Sequence, residues 1–177
     1  TTPEEKFKNF ESTPLYDREM EKFINPVKPH WQSRYYRGLF GIKSDPDDSK
    51  KEDIAINYLQ GLEWTMKYYT TGCPDWRYKY RYNYPPLLQD LIRFIPLFDT
   101  TFVAEKPQNP VSEIVQLCYV LPRPSLNLLP NKLYFELIRK YDHWYKGNCD
   151  FVWAYCRYFW ESHVEMNEID IDELERF

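Results

Sequence analysis

The sequence predicts a mainly α fold with short extended segments, and three observations predict it. From Ser49 onward, apolar residues recur at helical spacing for about 20 residues. Shorter apolar stripes on either side are bounded by prolines, which end helices because they lack the amide hydrogen and fix φ. Strict alternation is confined to residues 76–84. The composition allows a packed core, since 177 residues with 43% hydrophobic and 28% charged side chains describe a globular domain rather than a disordered chain.

Residues 1–30 are punctuated by Pro3, Pro14, Pro26 and Pro29 and read as an N-terminal arm or wrapping segment with short helices over 4–10 and 16–23. Arg34 to Phe40 reads as a helix end, and Ser44 to Asp48 as a polar break. Ser49 and Glu52 then have capping-box spacing, followed by Ala55, Leu59, Leu62, Met66 and Tyr69 as the expected core stripe. Gly72 supplies a left-handed stop and Pro74 forbids continuation. In residues 76–84 the rings Trp76, Tyr78, Tyr80, Tyr82 and Tyr84 alternate with Arg77, Lys79, Arg81 and Asn83; if extended, all five rings share one face and the three cations the other. Pro85-Pro86 should open a helix with the stripe Leu87, Leu88, Leu91, Ile92 and Ile95. Asn109-Pro110 should cap a helix carrying Val111, Ile114, Val115, Cys118 and Leu121. A further helix is expected over about 132–141 and a turn at Gly147-Asn148; residues 151–160 fit strand and buried helix equally. The acidic tail from Glu161 to Glu175 has Ile169, Ile171 and Leu174 as anchors.

Chemistry is narrowed by what the sequence lacks. A net charge of −4 is not the footprint of an autonomous nucleic-acid binder, so any such contact is local. No apolar run approaches the roughly 20 residues that cross a bilayer, so no membrane partner is expected. Four cysteines without a CxxC pair suit reduced thiols and a cytoplasmic location, with the nucleus as the alternative. The histidines His30, His143 and His163 do not have zinc spacing, Asp45, Asp47 and Asp48 read as a solvated turn and helix cap, and no nucleophile or phosphate-loop signature is present. The exception is the stretch around Trp76. From Lys67 to Arg81 four cations face one acid, and rings interleaved with cations are what holds a single strand, by stacking on bases and tracking phosphates. The alternative reading is that most of these rings are packing and the cations sit in water; a mixture, with several rings buried and one or two exposed, satisfies both.

Residues 58–76, from Tyr58 through Gly61-Leu62, Trp64, Tyr68-Tyr69 and Gly72 to Trp76, resemble the XRN family of 5′→3′ exoribonucleases, in which such a helix runs into an aromatic segment. Tyr82-Asn83-Tyr84-Pro85-Pro86 and Asp90 take the places of the next motif. Trp31 to Phe40, Val120-Leu121-Pro122, Leu128-Leu129-Pro130 and the Trp160-Glu161 to Leu174 stretch are similar to further family signposts in the same order. Tyr78, Arg81, Asn83 and Asn167 depart from the pattern, which implies a divergent member of a kind a virus could encode. The resemblance implies that residues 31–177 are the later conserved region, the helical part of an α/β nuclease. It implies an earlier catalytic half, upstream of a chain that starts without methionine, whose acidic cluster binds Mg²⁺ and cuts RNA bearing a 5′-monophosphate. It assigns no catalytic residue and no metal ligand here. Trp76 and Tyr78 are then the candidate stacking rings, with Arg77, Lys79 and Arg81 near phosphates, and the segment alone is expected to be inactive. The alternative is a non-catalytic structural, interaction or RNA-binding protein derived from that fold.

Overall fold

In the computed structural model, residues 2–5, 18–106, 109–147 and 150–177 are described. They form two compact units, one of residues 1–108 with 154–159 and one of residues 109–153 with 160–177. Among the described residues no helix is long and apolar enough to cross a membrane.

In the first unit, α1 (Glu19–Ile24) ends at Asn25 in the left-handed region, and α2 (Trp31–Phe40) ends at Gly41, φ +67°. Arg34 fastens the turn between them: its guanidinium donates to the carbonyls of Phe23, Ile24, Asn25, Lys28 and Pro29 at 2.8–3.3 Å. The expected helix over 4–10 lies largely outside the described residues. The long helix α3 (Ser49–Thr70) follows, and α4 (Leu88–Arg93) packs beside it. Ile24, Tyr35, Tyr36 and Ile54 are the buried centre, with Trp31, Leu39, Phe40 and Leu87 around them. The Tyr36 hydroxyl ties α2 to α4, donating to Asp90 Oδ2 at 2.8 Å and accepting from the Leu87 amide at 3.1 Å. Residues 154–159 complete the unit, with the Ala154 carbonyl accepting from Tyr84 Oη and the Cys156 carbonyl from Arg18.

The start of α3 corrects the capping-box expectation. Ser49 is already helical and the cap residue is Asp48, at φ 59°. The orphan amides are taken by acids upstream: Asp47 Oδ1 accepts from the Ser49 amide, and Asp45 accepts from those of Lys50 and Lys51 at 3.2 Å each. The acid-rich turn is therefore the helix cap. The core stripe is corrected too. Ala55 is buried, but Leu62, Met66 and Tyr69 are 51%, 66% and 80% exposed, and the inward side of α3 carries Ile54, Asn57, Glu63, Trp64 and Lys67. Polar side chains there capture passing backbone. Glu63 accepts from the amides of Phe102 and Val103, and Lys67 donates to the Val103 carbonyl, which hydropathy alone does not register. The same holds for α4, which begins at Leu88 rather than at the prolines; it turns Asp90 inward and leaves Leu88 and Ile92 exposed.

In the second unit, α5 (Glu113–Val120), a 3-10 turn (Arg123–Leu128), α6 (Asn131–Tyr145) and α7 (Ile171–Arg176) enclose Cys118, Leu126, Leu137, Tyr141, Trp144 and Leu174. The cap of α5 is Ser112, which accepts from the Val115 amide, and not Asn109. Helix α6 runs past Tyr141 through a kink there, so that Tyr141 and Trp144 stack at 4.0 Å. The aromatic stretch at 151–160 is neither a long strand nor a helix: β1 (Asp150–Val152) pairs antiparallel with β2 (His163–Glu165), Phe151 opposite Val164. Ile169 and Leu174 are buried as anchors, and Asp170 caps α7 by accepting from the Glu173 amide. Of the Gly147-Asn148 turn, Asn148 lies outside the described residues.

Candidate nucleic-acid interface

Gly72, at φ +114°, lets the chain leave α3 and double back along it. The returning segment, residues 73–84, is not the flat ribbon that alternation suggests, because among the described residues no strand lies beside it to take its backbone hydrogen bonds. Asn57 of α3 does so instead: its carbonyl accepts from Tyr78 Oη at 2.9 Å and its side-chain oxygen from the Arg81 amide at 3.0 Å. Each ring finds its own partner. Tyr78 stacks on Trp64 at 5.8 Å, and Trp64 on Tyr68 at 5.2 Å. Tyr80 meets Tyr58 edge-on, Tyr82 packs on Phe40, and Tyr84 is buried. Gly61 makes the stack possible, since a Cβ there would lie 2.8 Å from Tyr78 Oη. Burial raises the phenols of Tyr78, Tyr80 and Tyr84, the last to about 12, against a lowering by Arg81 at Tyr78. All three remain donors at neutral pH.

Trp76 behaves differently. It is 45% exposed, yet the backbone carrying it is pinned on both sides. Trp64 Nε1 donates to the Asp75 carbonyl at 2.8 Å, and the buried Asp75 carboxylate accepts from the Arg77 amide at 2.8 Å and pairs with Lys106 at 2.7 Å. Burial alone would raise the Asp75 pKa, but Lys106 and the Arg77 amide outweigh it and hold the carboxyl below its usual range. Lys79 and Arg81 are exposed and Arg77 is half-buried. A cleft of about 400 Å³ opens between α3 and the segment, walled by Tyr58, Gly61, Leu62, Trp64, Tyr78 and Tyr80, with Lys79 also lining it.

The residues singled out in the sequence thus separate. Tyr78 is a wall of the cleft and part of the packing, Lys79 lines the same space, and Trp76 presents a half-open ring outside it. They are positioned by Asn57, which had no role in the sequence pattern, and by Gly61 and Trp64, which entered above only as part of the family motif. Among the described residues no three His, Cys, Asp or Glu side chains converge as a metal-ion ligand set.

Comparison with known proteins agrees with the sequence motifs. The family model described as the Xrn1 helical domain matches residues 4–160. The chain is 36% identical over 113 residues to 5′-3′ exoribonuclease 1 of Saccharomyces cerevisiae, covering 63% of this chain and 7% of that protein. It is 36% identical over 110 residues to 5′-3′ exoribonuclease 2 of Schizosaccharomyces pombe, covering 62% and 11%. Against 5′-3′ exoribonuclease 2 of Aspergillus oryzae it is 33% identical over 126 residues, covering 69% and 12%. The chain therefore spans about a tenth of the length of these relatives, 7% to 12%.

Proposed function

Because this chain belongs to the XRN family of 5′→3′ exoribonucleases, as part of its helical domain, we propose that it packs on a catalytic half and helps hold the 5′ end of an RNA bearing a 5′-monophosphate. The observation that carries this reading is the half-exposed Trp76 ring on a backbone fixed from both sides. A ring carried on a backbone already held in place needs no ordering of that backbone when a base stacks on it. Tyr78 and the cleft beside it offer a second apolar surface, and Arg77, Lys79 and Arg81 supply positive charge for the sugar–phosphate chain. Mg²⁺ and the chemistry of hydrolysis belong to the other half in this reading. The exposed apolar side chains Leu62, Met66 and Tyr69 on α3 offer a surface for that half to cover.

Trp76→Ala tests the reading. Stacking on an aromatic ring is worth about 1–3 kcal/mol per base, so the variant should bind single-stranded RNA correspondingly more weakly in a filter-binding titration, with its fold intact. An affinity equal to that of the parent chain removes Trp76 from the interface.

A further inference from the structure

A second cleft lies at the other end of α3, with a volume of about 320 Å³. Ser33, Arg34 and Arg37 line it from one face of α2, with His30, the residue before that helix, beside them. Lys43 and Ser44 line it from the loop after Gly41, and Lys51 from the first turn of α3. Among the described residues, four cations therefore meet a single lining carboxylate, Asp45, in a chain whose net charge is −4. Asp45 offsets one of the four, and its oxygens already accept from the Lys50 and Lys51 amides. Arg34 gives its donors to neutral carbonyls, so its charge is uncompensated. Lys51 shares Asp48 with Arg93, again two cations to one acid. The side chains of Ser33, Arg37, Lys43 and Ser44 make no hydrogen bond or ion pair among the described residues. Donors without acceptors, hydroxyls beside them and net positive charge in a concavity are the requirements of a phosphate group.

We propose that this cleft binds a backbone phosphate of single-stranded RNA, as a second contact for the strand held at Trp76. The proposal rests on the preceding reading and extends it. Lys51 lies on the same face of α3 as Tyr58 and Leu62 of the aromatic cleft, about 10–17 Å away along the axis at 1.5 Å per residue. One strand can reach both only if it is several nucleotides long.

The test is the affinity of a fluorescein-labelled oligouridine strand for the chain, measured by anisotropy over a range of salt. Arg37→Glu with Lys43→Glu should weaken binding about tenfold or more and reduce the slope of log K against log salt by about 1.4, two contacts at roughly 0.7 each for a single strand. Both residues are exposed, and an unchanged thermal midpoint confirms the fold. The control Lys132→Glu with Arg139→Glu reverses the same charge on α6 and should leave the affinity within about twofold. Equal losses in variant and control overturn the proposal, since the effect is then diffuse charge. If Trp76→Ala weakens binding while the cleft variant does not, the cleft is not an RNA contact and the stacking reading stands; if neither weakens it, both fall. If inorganic phosphate raises the thermal midpoint of the parent chain but not of the cleft variant, and both bind RNA equally, the cleft takes a free anion and the RNA assignment is overturned.

Discussion

Tyr78 shows how one side chain can be fixed by several weak agents at once. Its ring stacks on Trp64, its hydroxyl donates to Asn57, and the absence of a Cβ at Gly61 leaves the space that hydroxyl needs. Gly61→Ala sets two effects against each other. In a helix interior, alanine gains about 0.5–1 kcal/mol over glycine, whereas overpacking costs about 1–3 kcal/mol; the pinned phenol makes the second larger. The substitution should lower the urea midpoint in the parent chain and be neutral or stabilising when Tyr78 is phenylalanine. A stabilising effect in both backgrounds would show that the phenol yields freely. Asp75 gives a pH dependence. Its pKa is depressed in the folded state, so its contribution is present above the ordinary aspartate pKa of about 3.9 and is lost as pH falls through the lower, folded value. Asp75→Asn should therefore flatten the acid limb of the thermal midpoint below about pH 4; an unchanged limb would assign it to other carboxylates.

At the scale of the element, α3 shows what was legible and what was not. Its span, its stop at Gly72 and the capping role of the acids before it were readable, because they depend on neighbours in sequence. Its inward face was not. The apolar period pointed to Leu62, Met66 and Tyr69, whereas Asn57, Glu63 and Lys67 bind segments 20 or more residues away. Hydrophobic periodicity cannot anticipate a face whose contacts are hydrogen bonds to backbone. The aromatic segment repeats the lesson: alternation separated inward Tyr78, Tyr80, Tyr82 and Tyr84 from outward Lys79 and Arg81, yet a strand needs a neighbour, and here the neighbour is a helix. The capping difference can be measured. Asp45→Ala should cost about 1 kcal/mol, the usual value of a helix cap, while Ser49→Ala should stay within about 0.5 kcal/mol, as surface substitutions do. The reverse order in denaturant midpoints would restore the capping box.

At the scale of the whole molecule, two cores account for the helical character that apolar spacing predicted, and the family motifs run across both. The candidate stacking residues all belong to the first unit. This sets the expectation for activity: the chain alone, given Mg²⁺ and RNA with a 5′-monophosphate, should release no nucleotides on a denaturing gel, and processive digestion would refute the division of labour proposed above. The loop after α4 carries a separate consequence. Leu97 and Phe98 are open to solvent, while residues on either side are held within one unit: Asp90 and Arg93 before them, and Phe102, Val103 and Lys106 after them. Residues 154–156 return to the same unit through Tyr84, Glu21 and Arg18. A protease that severs the chain at Leu97 would cut one covalent thread and leave its noncovalent stitches in place, so the nicked protein should migrate as one species under native conditions and as two fragments once denatured.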